Sequence, residues 1–274
     1  MTYGGDFHWH SKLCQWCANQ RSRTGLLSGI DIADNLTAVK LQILSMLKRR
    51  GIEKPEWSRS NSWSKAFVTW LQVTAEATDD FVGPVLTSYV VRFELYRDEA
   101  TRLEREIRRL SQTPRYKAAH EELRKMRGVG LLTAMTFLTE MGDLTRFSNR
   151  REVGSYPGLC PASFESGETN NRKGRITRQG PPRLRRMLCQ AVWSELRHDP
   201  KITQDWNRLH RGKADRRKKA VVALMRQLGI RMWHRALECG VSSELIGRGP
   251  GGYRTSAQAQ QRELQSRPHK STGN

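Results

Sequence analysis

Leu86, Tyr89, Phe93, Tyr96, Ala100, Leu103, Ile107 and Leu110 recur at spacings of 3-4-3-4-3-4-3. No strand or loop can satisfy that rhythm; it specifies one helix with an a/d seam of about three and a half heptads. Glu104 and Arg108 add an i,i+4 pair beside the seam, and Pro114 ends it. A single helix cannot bury such a stripe. The partner is either another helix of the chain or a second copy, and the 3.5-residue period favours a homo-oligomer through a coiled coil.

The surrounding segments are also helical in texture, so the fold class is mainly α. "NLTAVKLQILSMLKRRG" carries Leu36, Val39, Leu41, Ile43, Leu44 and Leu47, then cations and Gly51 as a stop. With "SKAFVTWLQV" it forms a helical middle region, 35–80, ahead of the coiled-coil helix, 81–113. Residues 1–34 show no sustained periodicity and read as unassigned and poorly ordered. They hold His8, His10, Cys14 and Cys17, but all four lie in one short segment, and His-x-His is too close for common ligand spacings. An incidental cluster is favoured over a zinc site. The tail, 246–274, is rich in Gly, Ser, Gln and Arg and reads as disordered.

A second region starts after Pro114. "YKAAHEELRKM" is helical, "RGVG" breaks it, and "LLTAMTFLTEMG" resumes with Leu131, Ala134, Phe137, Leu138 and Met141 on one face. A helix-hairpin-helix-like clamp is one reading: Gly128 and Gly130 let backbone amides approach a phosphate. Tight-turn packing explains the glycines as readily. "NRREVGSY" has Asn149 as N-cap and Glu152 in the capping-box position. Two further helices follow. One starts at Gly180-Pro181 with Leu184, Met187, Leu188, Ala191 and Val192 inward. The other runs from about Asp215 to Cys239 with Val221, Leu224, Met225, Leu228 and Met232 inward.

Charge narrows the function. The chain has 48 Lys+Arg against 27 Asp+Glu, a formal net charge of +21. Such self-repulsion is relieved by a polyanion, of which nucleic acid is the common one. No apolar run approaches membrane-spanning length, so a membrane partner is not expected. Five cysteines, odd in number and mostly isolated, fit a reducing, cytoplasmic setting. The cations concentrate in "SFESGETNNRKGRITRQG", Ser163 to Gly180, and the helix after it. No acidic residue falls between Thr169 and Ser194, while Arg172, Lys173, Arg175, Arg178, Arg183, Arg185 and Arg186 do. This basic loop suits phosphate, where guanidinium hydrogen-bonds bidentately. Ser166, just ahead of the cations, is either a turn serine or a nucleophile whose attack on a phosphodiester they would support.

The motifs "GVG", "FSNRREVGSYPGLCPASFESG", "GRITRQG" and "LRRMLCQAVW", in this order, resemble the insertion-sequence one-hundred-ten family of transposases, which includes one-sixteen and nine-oh-two. The similarity covers roughly Asn35 to Gly240. It implies a transposase C-terminal domain at 114–245 and a DNA recombinase activity in which Ser166 of the "SG" dipeptide forms a phosphoserine link to DNA. Ser163 is the near alternative. DNA and a structured guide (bridge) RNA are the implied partners, in a bacterial or archaeal nucleoid-associated protein. Phosphate contacts by Arg172, Lys173, Arg175, Arg178, Arg183 and Arg186 are an electrostatic reading and not part of the resemblance. Full-length members also carry a RuvC-like domain whose four carboxylates bind Mg2+. Asp6, Asp31 and Asp34 stand in no such pattern, so the expectation is a truncated chain that binds no metal itself and is poorly active alone. The alternative is a non-catalytic nucleic-acid-binding or regulatory remnant.

Overall fold

A computed structural model describes the backbone of residues 7–58, 63–78, 81–164 and 172–239. Side chains are described at Thr24 and over 28–58, 63–78, 81–162 and 175–239. The described chain is mainly helical and divides into two compact units, Gln20–Leu110 and Met1–Asn19 with Ser111–Asn274.

The first unit is built on three helices: α1 (Phe7–Arg49), α2 (Lys65–Ala77) and α3 (Val82–Ser111). The helical texture that the sequence shows from Asn35 extends back to Phe7. Ser64 caps α2, its Oγ accepting from the Phe67 amide at 3.3 Å. The heptad stripe does find a partner, and it lies in the same chain. Leu86, Val90 and Phe93 of α3 are buried in one cluster with Val39, Ile43 and Leu47 of α1 and Phe67, Val68 and Leu71 of α2. Trp63 lies over Phe93 at 4.8 Å between ring centroids and edge-on to Phe67 at 5.3 Å. Further along the seam, Ile107 faces Gly29 of α1. The seam is therefore covered without a second copy along these positions.

From Ser111 onward the described residues of the second unit form six α-helices and one hairpin. In chain order these are α4 (Lys117–Arg124), α5 (Leu131–Met141), α6 (Arg150–Ser155), strands β1 (Pro161–Phe164) and β2 (Arg172–Ile176), α7 (Pro182–His198), α8 (Pro200–His210) and α9 (Arg217–Glu238). From Thr133 to Met141 every residue of α5 is buried, so the helix has no polar face. Thr139 Oγ1 donates to the Met135 carbonyl at 2.8 Å, whereas the buried Thr136 Oγ1 has no hydrogen-bond partner among the described residues. The inward stripes expected on α7 and α9 are buried as read. α9 lies against α4, α6, α7 and α8. Trp233 on it is fully buried and donates from Nε1 to the Leu144 carbonyl at 2.9 Å. Asn149 caps α6 through the amides of Arg151 and Glu152. Glu152 in return accepts from the Ser148 amide and hydroxyl, and those bonds hold its carboxyl below the usual range.

One buried ion pair joins α7 to α9. Glu195, 3 % exposed, accepts from Arg231 Nη2 on both carboxylate oxygens, at 3.0 and 2.9 Å. Burial raises the Glu195 carboxyl pKa and Arg231 opposes that rise. Arg231→Ala leaves the carboxylate buried without its counter-ion, which should cost about 2–3 kcal/mol at neutral pH given the partly exposed arginine. In the variant the folded-state pKa lies still further above the unfolded one, so the folded form gains a proton first as pH falls. The deficit in a urea titration should therefore shrink as pH falls toward the ordinary glutamate value of about 4.3. A deficit that does not vary with pH would contradict this.

Candidate nucleic-acid interface

Two stretches of backbone cross between α6 and α7. Tyr156–Gly158 runs against Arg178–Gly180, and both glycines have positive φ, 69° at Gly158 and 123° at Gly180. A Cβ on Gly158 would collide with the Gln179 carbonyl oxygen, and one on Gly180 with the Tyr156 carbonyl oxygen. Only glycine permits backbone to meet backbone at both places. The crossing is stitched by Thr177 N–H to the Cys160 carbonyl (2.8 Å) and Arg178 N–H to the Gly158 carbonyl (3.1 Å). Arg185 locks it from the first turns of α7: its Nη1 lies 2.9 Å from the Pro157 and Gly180 carbonyls and 3.2 Å from that of Arg178. Burial pushes the Arg185 guanidinium's pKa down, and the neighbouring Arg178 charge adds to that. Arg185, read with the other cations from sequence, is thus turned inward as a structural clamp.

Above this crossing stands the hairpin. β1 and β2 pair antiparallel, Pro161 with Ile176, Ser163 with Lys173 and Phe164 with Arg172. Part of the predicted basic loop is therefore a strand. Ser166, the candidate nucleophile, falls in 165–171 between the two strands and lies outside the described residues, as do the side chains of Arg172 and Lys173 and that of the alternative, Ser163. Arg175 on β2 and Arg178 after it are exposed; Arg178 has a left-handed backbone, φ 56°. Arg186 is exposed and Arg183 half-exposed at the start of α7, whose first turn has no acidic residue. Arg175 and Arg178 thus belong to β2 and the residues after it, and Arg183 and Arg186 to the first turns of α7.

Gly128 and Gly130 lie elsewhere. Gly128 (φ 76°) is in the α4–α5 turn, and a Cβ there would come within 2.6 Å of the Ala191 carbonyl and 2.9 Å of Glu195 Cγ. Its close approach is to α7, and the same turn is fixed when Arg127 donates to the His198 carbonyl at 2.8 Å. Gly130 is the half-exposed N-cap of α5. Gly128 therefore meets the C-terminal half of α7, whereas a Cβ on Gly130 would meet only Arg124 Nη1, at 3.9 Å. Beside Gly128 an open cleft of ≈ 720 Å³ is lined by Lys125, Arg127, Glu195, Arg231 and Arg235 among others. Its cations are engaged already: Lys125 and Arg235 with Glu122, Arg231 with Glu195.

Sequence reading missed Arg146. It is exposed, yet its guanidinium is held over both Phe147 and Tyr156, at 4.6 and 4.5 Å from the ring centroids. Tyr156 is itself a member of the crossing and donates its hydroxyl to the Glu140 carbonyl at 3.0 Å. A stacked guanidinium keeps its N–H fork pointing outward at reduced entropic cost. Among the described residues neither Arg146, Arg175 nor Arg178 has a carboxylate partner. No group of three or more His, Cys, Asp or Glu side chains among the described residues could hold a metal ion. The side chains of His8, His10, Cys14 and Cys17 lie outside the described residues.

The residues from His120 in α4 to Asn207 in α8 match the model of the IS116/IS110/IS902 transposase family. Over this segment the chain is similar to the transposase domain of that family. The segment contains the crossing, the hairpin and Arg146. The chain is 44 % identical over 80 residues to the putative transposase y4qE of Sinorhizobium fredii, a match covering 29 % of this chain and 20 % of that protein. It is 35 % identical over 112 residues to y4rJ of the same organism, covering 39 % and 28 %. It is also 24 % identical over 191 residues to the pilin gene-inverting protein of Moraxella bovis, covering 69 % and 55 %. The chain thus spans less than a third of the length of the first two curated relatives. No helix among the described residues is long and apolar enough to cross a membrane.

Arg185→Ala should lower the stability of this unit by about 1–2 kcal/mol, because hydrogen bonds from a charged group contribute roughly 1.5–3 kcal/mol and two of these three are exposed to solvent. Gly180→Ala should cost more, since strain and collision add. Chemical denaturation of both variants checks the order; a neutral Gly180→Ala would refute the crossing.

Proposed function

We infer that this chain acts in DNA transposition, with the hairpin domain holding DNA and Ser166 as the nucleophile of strand exchange. The observation that carries this reading is the set of exposed cations, Arg146, Arg175 and Arg178, without carboxylate partners, around a rigid hairpin base within the segment similar to the family's transposase domain. A phosphodiester drawn to those guanidinia is neutralised as charge builds on its non-bridging oxygens. Ser166 Oγ then forms a bond to phosphorus as the P–O bond to the leaving sugar oxygen breaks, and that oxygen takes up the proton. The names of the relatives, transposases and a gene-inverting protein, are consistent with DNA rearrangement. The metal-binding carboxylates belong, in this reading, to sequence outside these 274 residues, and a structured guide RNA directs site choice. The protein works in the cytoplasm at the nucleoid.

Two experiments test it. Neutralising Arg146, Arg175 and Arg178 together should reduce the slope of log affinity against log salt for duplex DNA by about 2.7, about 0.9 for each lost phosphate contact. An unchanged slope would remove these cations from the interface. Ser166→Ala should leave DNA affinity intact and abolish strand exchange once the carboxylate domain of a relative is supplied. The purified chain with Mg2+ alone should cleave no DNA. Full exchange by Ser166→Ala would eliminate the serine mechanism and leave a non-catalytic binding protein.

A further inference from the structure

α7 turns one face inward and one outward, and the outward face is unusual. Leu184, Met187, Leu188, Ala191, Val192 and Glu195 are buried. Arg186, Gln190, Trp193 and Arg197 are all exposed, at spacings of 4, 3 and 4, with half-exposed Arg183 one turn before them. They form a single stripe about 21 Å long at a rise of 1.5 Å per residue. Trp193 at its centre is 46 % exposed. Among the described residues no other ring and no cation stacks on it. The acidic residues nearest in sequence point elsewhere: Glu195 is paired with Arg231, and Asp199 caps α8 by accepting from the Lys201 amide.

Arg197 suits the C-terminal end of the helix dipole, but Arg183 and Arg186 sit near the N-terminal end and oppose it. α7 has no side-chain cap there to offset them. Arg185, on the other side of the same turn, ties the start of α7 to the crossing.

We propose that this outward face of α7 binds an unpaired stretch of nucleic acid, with Trp193 stacking on one base and Arg186 and Arg197 holding the flanking phosphates. The inference rests on the transposase reading above and assigns a strand-separated segment to a particular face. Charge decides the partner class: four of the five stripe residues are cationic or amide and none is acidic. The indole decides the state of the strand. In a duplex the flat faces of the bases are covered by their neighbours, and an indole offers the groove edges only one N–H donor. An unpaired base leaves its face open, and an aromatic ring between cations is the usual platform for it. Gln190, one turn from Trp193, adds an amide able to bond the edge of the stacked base.

The test uses the full chain and two fluorescent probes, an oligothymidylate of about 20 nucleotides and a duplex of about the same length. Trp193→Ala and Trp193→Leu should each weaken oligothymidylate binding about tenfold, within the range of one base–aromatic stack, and change duplex affinity less than about twofold. Trp193→Phe should stay within about threefold of the parent. The leucine variant keeps apolar bulk without a π face, so it separates stacking from packing. Arg186→Gln with Arg197→Gln should reduce the single-strand salt slope by about 1.4, about 0.7 per phosphate. Unchanged oligothymidylate affinity in Trp193→Leu overturns the proposal, as does an equal loss on both probes. An altered oligomeric state with single-strand affinity intact overturns it in favour of a protein-docking face. If the parent binds neither probe, the transposase reading falls with it; if the parent binds and the tryptophan variants match it, only the α7 assignment falls.

Discussion

Everything at the basic surface depends on one contact between two pieces of main chain. Tyr156–Gly158 and Arg178–Gly180 approach so closely that neither Gly158 nor Gly180 can carry a Cβ. That contact brings carbonyls together without amides to match, and Arg185 supplies the missing donors from α7. A guanidinium suits this position because its planar fork can serve several carbonyls at once, which an ammonium on a flexible stem does less well. With the crossing fixed, the hairpin has a rigid base and Arg178 is held outward on a left-handed backbone. Without it, the strands would have one another as partners and little else, and an isolated two-stranded hairpin is marginal in water.

α7 is the element through which the unit is organised. Its N-terminal half holds the crossing, its C-terminal half receives Gly128 and forms the Glu195–Arg231 pair, and its outer face stays basic along its length. The inward and outward roles are divided among neighbouring arginines. Arg185 is consumed by structure, whereas Arg186 faces solvent. The sequence "RLRR" does not distinguish them; the helical turn does, by placing residue 185 over the crossing and 186 about 100° away.

Much of the fold was legible because it follows short-range periodicity. The inward stripes of α7 and α9, the Asn149 cap of α6 and the heptad seam of α3 appear as read, while Glu152 reaches back to Ser148, one residue before the cap. The seam's partner was not legible, since a 3-4 rhythm states that a helix must pack and not against which chain; α1 and α2 provide the cover. β2 was missed because "RKGRI" has neither the alternation nor the β-branched content of a strand, and its pairing is set by contacts at its base. Gly128 and Gly130 read equally as phosphate approach or turn packing, and for Gly128 the collision with Ala191 explains the glycine. Arg146 carried no signal in the sequence because its importance comes from two rings, Phe147 and Tyr156, one of them ten residues away.

The account rests on a pre-formed crossing that presents cations to nucleic acid. Hydrogen–deuterium exchange of the full chain, free and with duplex DNA, tests both parts at once. In the free chain the amides of Thr177 and Arg178 should exchange slowly, since both are bonded to carbonyls across the crossing. With DNA, added protection should appear over Thr177–Arg186 and leave α3 unchanged. Loop-like exchange at Thr177 and Arg178 in the free chain, or DNA protection confined to α1–α3, would contradict the account.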